Sequence, residues 1–184
     1  MNQIIPLRII EKYYDRDSTL YKILIIHSAM VTRKALELAA RVPHLHPDLL
    51  FIRQAAMLHD IGIFVTNAPE IFCYGEHPYL MHGPFGRELL EKEGLARHAL
   101  VCDRHTGVGL SKEDIINGKM PLPPRDMLPI SIEEKIICFA DTFYGKNFEK
   151  LCREKSIERI AAKVAEYGGE NPARLQAFRE LFKI

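Results

Sequence analysis

The chain has 184 residues, of which 47% are hydrophobic, and this length predicts one domain with a sizeable buried core. Its 25 basic residues nearly balance its 24 acidic residues, and a formal net charge of +1 excludes a broadly basic surface for nucleic acid or membrane. The sequence has no secretory signal, no Cys-x-x-Cys spacing and no apolar run of about 20 residues, so we expect a cytoplasmic protein with reduced thiols and no membrane span.

The first part of the chain predicts two amphipathic helices. Apolar residues recur with helical spacing over residues 19–41, and His27 lies on the same face. Pro47 is typical of a first helical turn, and the helix that it opens is expected to continue up to His59. Gly62 marks where this second helix frays. Both helices therefore present histidine from an otherwise apolar face.

The middle of the chain predicts a loop followed by two helices. Residues 64–81 contain prolines and glycine and are expected to form a loop. A helix follows from His82 and ends at Gly94, which is placed as a C-terminal cap. The next helix begins at residue 95 and leads to His105. The two histidines of this region are thus expected at helix ends.

The last third of the chain predicts helices again. Ser111 and Ser131 each precede an acidic residue by three positions, which indicates a capping box, and the second of these helices carries Asp141. Two amphipathic helices, from 156 to about 167 and from 172 to 182, follow. Because no segment gives a convincing strand, the predicted fold class is all-α.

Six histidines and aspartates form an ordered set of candidate metal ligands: His27, His59, Asp60, His82, His105 and Asp141. Asp60 and Asp141 are both placed among apolar residues, where an ionised carboxylate costs several kcal/mol unless it finds a cation or strong donors. Mixed imidazole and carboxylate ligands suit divalent transition metals. The sequence therefore predicts a metal site.

These residues resemble a known family. His27, the pair His59 and Asp60, and Asp141, in that order on separate helices, resemble the defining ligands of the HD superfamily of metal-dependent phosphohydrolases. Residues 59–62 match its HDIG signature, and the chain resembles small stand-alone HDIG proteins over about residues 20–150. The resemblance implies an HD-domain helical bundle with a central metal site, in a single domain of residues 1–184 whose C-terminal helices, 156–183, pack on the core.

The family resemblance also implies how the ligands divide. One metal would take His27, His59, Asp60 and Asp141, and a second would take His82, His105 and the other oxygen of Asp60. One or two divalent ions are expected, of Fe, Mn, Zn, Co, Ni or Mg. The implied reaction is hydrolysis, by metal-activated water, of a phosphoester or phosphoanhydride in a small phosphorylated substrate such as a nucleotide.

Catalytic roles are expected for Asp60, His82 and His105. If only one metal binds, the two histidines would instead contact the phosphate or act as general acid. Basic residues near the ligands are candidates for substrate binding, namely Arg33, Arg104 and Lys146, of which Lys146 is the strongest. Three further histidines are expected at the surface, namely His44, His46 and His98.

Two other functions stay open. HD-type oxygenases use the same four histidines and two aspartates to hold two irons, and a non-catalytic nucleotide-binding module would keep the helical scaffold. Ile63 replaces the lysine that many signalling members have after the HDIG glycine, and no Gly-Tyr-Pro motif follows, so cyclic-dinucleotide chemistry is disfavoured. No nucleic-acid or membrane partner is expected, and the sequence leaves the oligomeric state open.

Overall fold

Helices form where apolar residues repeat with helical spacing, and they account for most of the computed structural model, which describes residues 4–184. The first three residues of the predicted domain lie outside this range. The helices are α1 (Pro6–Ile10), α2 (Thr19–Ala39), α3 (Leu49–Leu58), α4 (His82–Lys92), α5 (Ala96–Arg104), α6 (Lys112–Asn117), α7 (Ile132–Thr142), α8 (Ile157–Ala165) and α9 (Asn171–Phe182). The all-α prediction is confirmed. Within residues 4–184, no helix has the length and apolar character needed to cross a membrane.

Side-chain caps decide where α3 begins, and they correct the predicted start at Pro47. The Asp48 carboxylate accepts a hydrogen bond from the Phe51 N–H at 2.9 Å, so Asp48 is the N-cap and Leu49 is the first helical residue. At the other end α3 stops at Leu58, one residue before His59. The HD pair therefore lies in a tight turn that directly follows the helix.

A small sheet occupies part of the region that was predicted as loop. Strand β1 (Thr66–Ala68) pairs antiparallel with β2 (Cys73–Tyr74) and parallel with β3 (His77–Pro78). Strands of two or three residues are too short to show the alternation of apolar and polar residues by which strands are found. A single 3₁₀ turn, Tyr79–Met81, connects β3 to the first residue of α4.

The apolar core joins the N-terminal helices to the C-terminal ones. Phe139 of α7 lies at the centre, with its ring centroid 5.1 Å from that of Phe143, 5.4 Å from that of Phe178 and 5.6 Å from that of Phe182. Helix α9 therefore packs on α7, and α8 adds buried Ile160 to the same cluster. The single domain stays a prediction, and this shared core supports it.

Gly62 lets the turn of the HD pair approach α4 closely. A Cβ atom at this position would lie 2.3 Å from the carbonyl oxygen of His82 and 2.5 Å from the backbone nitrogen of Gly86. Both neighbours are backbone atoms of α4, so neither can rotate away as a flexible side chain would. The glycine thus sets the distance between two of the elements that carry candidate ligands.

His98 is buried, with 6% of its surface exposed, so its predicted surface position was wrong, whereas His44 and His46 are exposed as expected. The ring of His98 packs 4.8 Å from that of Phe51, centroid to centroid, because its side of α5 faces α3. Its Nε2 atom has no hydrogen-bond partner in the described part of the chain. Burial lowers the pKa of His98 to about 4.

We predict that Gly62→Ala lowers the free energy of unfolding by about 3 kcal/mol, the upper end of the range for overpacking. Gly94→Ala is the control, because Gly94 has a φ of +76° and open space around it. Its free energy of unfolding should fall by only about 1 kcal/mol, from backbone strain alone. Urea unfolding of both variants checks the difference. Equal losses would contradict the close approach at Gly62.

We predict an acid-sensitive contribution from His98. The folded-state pKa of about 4 lies below the unfolded value of 6.5, so the unfolded chain binds the extra proton and stability falls as the pH drops from 6.5 towards 4. From pH 7 to pH 5 the free energy of unfolding of the wild type should fall by about 2 kcal/mol more than that of His98→Leu. Urea unfolding at the two pH values measures this, and equal losses in both proteins would refute it.

Candidate metal centre

The six candidate ligands come from five separate parts of the fold. His27 lies in the middle of α2, and His59 and Asp60 lie in the turn after α3. His82 is the first residue of α4 and His105 directly follows α5, so both lie at helix ends as predicted. The sixth residue, next to last in α7, is Asp141.

A first cluster surrounds one oxygen of each aspartate. The Nε2 atom of His27 lies 3.1 Å from Asp60 Oδ2 and 2.9 Å from Asp141 Oδ1. The Nε2 atom of His59 lies 3.0 Å and 3.4 Å from the same two oxygens. The donor atoms of these four residues all lie within 4.8 Å of one another, which is close enough for one ion to reach them all.

A second cluster uses the other oxygen of the same aspartate. Asp60 Oδ1 lies 3.4 Å from Nε2 of His82 and 3.4 Å from Nε2 of His105. The two ring nitrogens are 3.1 Å apart. Asp60, whose side chain has no exposed surface, therefore belongs to both clusters, with one oxygen in each.

Backbone carbonyls fix the tautomers of three of these histidines. Nδ1 of His59 lies 2.7 Å from the carbonyl oxygen of Ala56. Nδ1 of His82 lies 2.7 Å from that of Tyr79, and Nδ1 of His105 lies 2.8 Å from that of Cys102. A carbonyl oxygen accepts hydrogen bonds and never donates them, so Nδ1 is the donor in each ring. When such a ring is neutral, its Nε2 atom carries a free lone pair that points into the cluster.

Lone pairs that face one another inside a protein require a cation. The described residues offer no well-aligned hydrogen bond to five buried atoms of the clusters, namely Nε2 of His27, Nε2 of His59, both oxygens of Asp60 and Oδ1 of Asp141. Unpaired buried polar atoms of this kind are costly. Divalent ions suit such a donor set, because imidazole nitrogen and carboxylate oxygen are ligands of borderline transition metals. The residues present therefore fit one or two divalent ions.

The charges of the cluster are strongly coupled. Burial by itself raises the pKa of Asp60, but the positive charges of His59 and Lys146 outweigh it and hold that pKa well below its ordinary value. Burial lowers the pKa of His59, but the negative charges of Asp60 and Asp141 outweigh it and raise that pKa to about 10. Burial lowers the pKa of His82 to about 3, so that ring stays neutral at pH 7.

A cavity of about 530 Å³ opens beside the clusters and exposes them to a small molecule. Asp141, His82 and His105 line it, together with Lys146, whose Nζ atom lies 2.6 Å from Asp60 Oδ2. Tyr79 is part of the wall and stacks on His82, with ring centroids 4.7 Å apart. The cavity thus brings the clusters, a lysine and an aromatic side chain together.

The three basic residues named as substrate contacts have different surroundings. Lys146 is at the site. Arg33 reaches the cavity wall indirectly, because its guanidinium donates to the Tyr144 hydroxyl at 2.9 Å. Arg104 donates to both carboxylate oxygens of Glu134, at 2.9 and 3.2 Å, and is not among the residues that line the cavity. The structure therefore brings one of the three directly to the candidate ligands.

Three residues that line the cavity were missed by sequence reasoning, namely Tyr79, Lys155 and Arg159. Tyr79 lies three residues before His82, a spacing that signals a shared turn once the helix start is known. Lys155 and Arg159 lie in the C-terminal part of the chain, and no motif connects them to the ligands. Their position follows from tertiary contacts: Lys155 donates to the backbone oxygens of Thr142 and Tyr144, and α8, which carries Arg159, packs on α9 and joins the core through Ile160.

Comparison with known proteins identifies the architecture around this site. The HD domain family model matches residues 24–145, more than half of the chain. An uncharacterized protein of Methanocaldococcus jannaschii is 36% identical over 150 residues, which cover 73% of this chain and 81% of that protein. No solved structure matches the chain.

Two further relatives are longer proteins. The tRNA (cytidine(56)-2'-O)-methyltransferase of Thermoplasma volcanium is 26% identical over 156 residues, which cover 84% of this chain and 41% of that protein. The enzyme of the same name from Picrophilus torridus is 32% identical over 120 residues, which cover 65% of this chain and 30% of that protein. The chain therefore spans less than half of each methyltransferase.

We predict two metal ions per chain, with unequal dependence on the ligands. Manganese content after desalting should fall from about two equivalents to about one in His105→Gln, and both should be lost in Asp60→Ala, because Asp60 has one oxygen in each cluster. His44→Gln removes an exposed histidine and should retain both. Elemental analysis, with circular dichroism to verify folding, measures this. Unchanged content in His105→Gln would contradict the second site.

Proposed function

The chain belongs to the HD domain family, and from this premise we propose that it is a metal-dependent phosphohydrolase. Its substrate would be a phosphoester or phosphoanhydride in a small phosphorylated compound such as a nucleotide. The observation that carries the proposal is the Asp60 carboxylate, which has one oxygen in each of two ligand clusters beside a cavity that also holds Lys146. A carboxylate shared in this way is suited to two ions, which is the arrangement used in metal-assisted phosphoryl transfer.

Divalent ions at these residues would lower the pKa of a coordinated water towards about 7 and neutralise phosphoryl oxygens. The chain's own contribution is to keep the two carboxylates ionised, because nearby positive charge outweighs burial and holds the pKa of Asp60 and of Asp141 well below the ordinary value. Asp60 is fully buried and Asp141 exposes 17% of its side chain, so of the two it is Asp141 that reaches the cavity. The Asp141 carboxylate is therefore placed to accept a hydrogen bond from an attacking water.

His82 and His105 act as ligands in this proposal, and the general-acid role is disfavoured. Burial lowers the pKa of His82 to about 3, so its ring has no second proton to donate at pH 7. In both residues Nδ1–H donates to a backbone carbonyl. This leaves Nε2, the ring nitrogen that faces Asp60, as the ligand atom of each residue.

Lys146 is placed to bind the phosphoryl group of the substrate. Its ammonium group contacts Asp60 and lines the cavity. Burial alone lowers the pKa of Lys146, but the charges of Asp60 and Asp141 outweigh it and raise that pKa well above the ordinary value, so the side chain stays protonated. A lysine in this position stabilises a phosphate oxygen as a point charge. We therefore assign it to substrate binding.

Methyl transfer, the activity in the names of the two longer relatives, is not proposed for this chain. The chain aligns with less than half of each of those proteins, and its buried cluster is suited to cations. The oxygenase alternative uses the same four histidines and two aspartates, so iron content and oxygen consumption separate it from hydrolysis. A non-catalytic nucleotide-binding module would show neither oxygen consumption nor turnover of phosphate esters.

We predict chelator-sensitive release of phosphate from a panel of p-nitrophenyl phosphate and nucleotides in the presence of manganese. Asp60→Asn should lower kcat by about a hundredfold or more. Lys146→Ala should raise KM about tenfold and keep its metal, because a charge-assisted contact to phosphate contributes about 1.5–3 kcal/mol. Lys150→Ala, which removes an exposed lysine of the next turn, is the matched control.

Two outcomes of this assay would contradict the proposal. Full activity in Asp60→Asn would show that the observed turnover comes from elsewhere. Iron-loaded protein that consumes oxygen and releases no phosphate from any member of the panel would establish the oxygenase instead.

A further inference from the structure

The wall of the cavity opposite the ligand clusters is basic, and residues after the family match build it. The HD domain match ends at residue 145, whereas the cavity is also lined by Lys155, Arg159 and Lys163. Two of these belong to α8, which packs on the core through buried Ile160. This chain therefore adds a positively charged surface to the site from outside the matched domain.

Lys155 is fixed at the end of α7. Its Nζ atom donates hydrogen bonds to the backbone oxygens of Thr142, at 3.0 Å, and Tyr144, at 2.7 Å. These carbonyls lie immediately after Asp141, at the helix end that carries partial negative charge. An ammonium group has three donors, so two bonds to carbonyls leave one donor and the full positive charge available at the cavity wall.

Arg159 places a second charge nearby. Arg159 lines the same cavity as Lys155 and Lys146, and the charges of Lys146 and Arg159 both lower the pKa of Lys155, beneath the larger effect of burial, so both lie within electrostatic reach of Lys155. The Asp141 carboxylate offsets part of this repulsion at Lys155, but within residues 4–184 no carboxylate forms an ion pair with Lys155 or Arg159. The adjacent Glu154 is held by Lys34 at 2.7 Å.

Lys163 differs from these two residues, because it pairs with Glu166 at 2.6 Å. Of the three wall cations within residues 4–184, Lys155 and Arg159 are therefore the two that no carboxylate contacts directly. Clustered cations at a cavity wall attract an anion, and the attraction is largest where water is partly excluded. The volume of about 530 Å³ is that of a small-molecule site and exceeds what one phosphoryl group beside Lys146 requires.

We propose that Lys155 and Arg159 bind a second anionic group of the substrate, which is therefore an organic diphosphate or oligophosphate, not a monophosphate. The inference rests on the proposed function, because it places the scissile phosphoryl group at the ligand clusters beside Lys146. The remaining phosphoryl groups extend along the wall towards α8. Beyond them, Ile160, Val164 and Tyr167 line the cavity for a less polar part of the substrate.

Binding of inorganic tripolyphosphate and of orthophosphate tests this proposal without requiring turnover. Both are titrated calorimetrically into the metal-loaded protein with excess magnesium, and phosphorus NMR verifies that the tripolyphosphate is intact. Arg159→Gln should weaken tripolyphosphate binding about tenfold, equivalent to 1.4 kcal/mol, and change orthophosphate binding less than twofold. Arg153→Gln removes an exposed arginine outside the cavity and should leave both affinities unchanged.

The proposal is overturned if Arg159→Gln leaves tripolyphosphate binding unchanged, if it weakens both ligands by the same factor, or if Arg153→Gln has an equal effect. Lys155→Met provides a second variant, with its thermal midpoint measured, because Lys155 also holds two backbone carbonyls. A protein that shows the expected difference but hydrolyses no phosphate ester supports the anion site and overturns only the proposed reaction.

Discussion

The Asp60 carboxylate is the group on which the rest of the site depends. It has no exposed surface, yet imidazole nitrogens lie within 3.4 Å of both of its oxygens. A buried carboxylate surrounded by lone pairs is stable only with positive charge beside it. The protein itself supplies part of that charge through Lys146, and divalent ions would supply it on both sides.

The surrounding fold serves to hold the donors at these distances. Three of the histidines are oriented by backbone carbonyls three residues before them, a local arrangement that needs no other side chain. Gly62 allows the turn of the HD pair to touch the backbone of α4, so that Asp60 and His82 meet. Helix α8 lies after the matched range and contributes basic residues to the wall of the cavity.

Much of this could be predicted from the sequence, because the helices are long and periodic and the ligands follow a known order. The helix with His27 and the helix ends at His82 and His105 were found where the structure has them. Short elements escaped detection, since a five-residue helix such as Pro6–Ile10 or a strand of two residues has too few positions to show a period.

Tertiary packing decides where other side chains lie, and local sequence does not reveal it. His98 is polar and directly follows Arg97 in sequence, but the face of α5 that carries it is covered by α3. Arg104 lies next to His105 in sequence, yet its guanidinium is paired with Glu134 on α7.

The most direct test of the account is anomalous diffraction at the manganese edge from metal-loaded crystals. We expect two peaks about 3.5–4 Å apart, one on each oxygen of Asp60. A single peak, or one away from Asp60, would contradict the shared carboxylate.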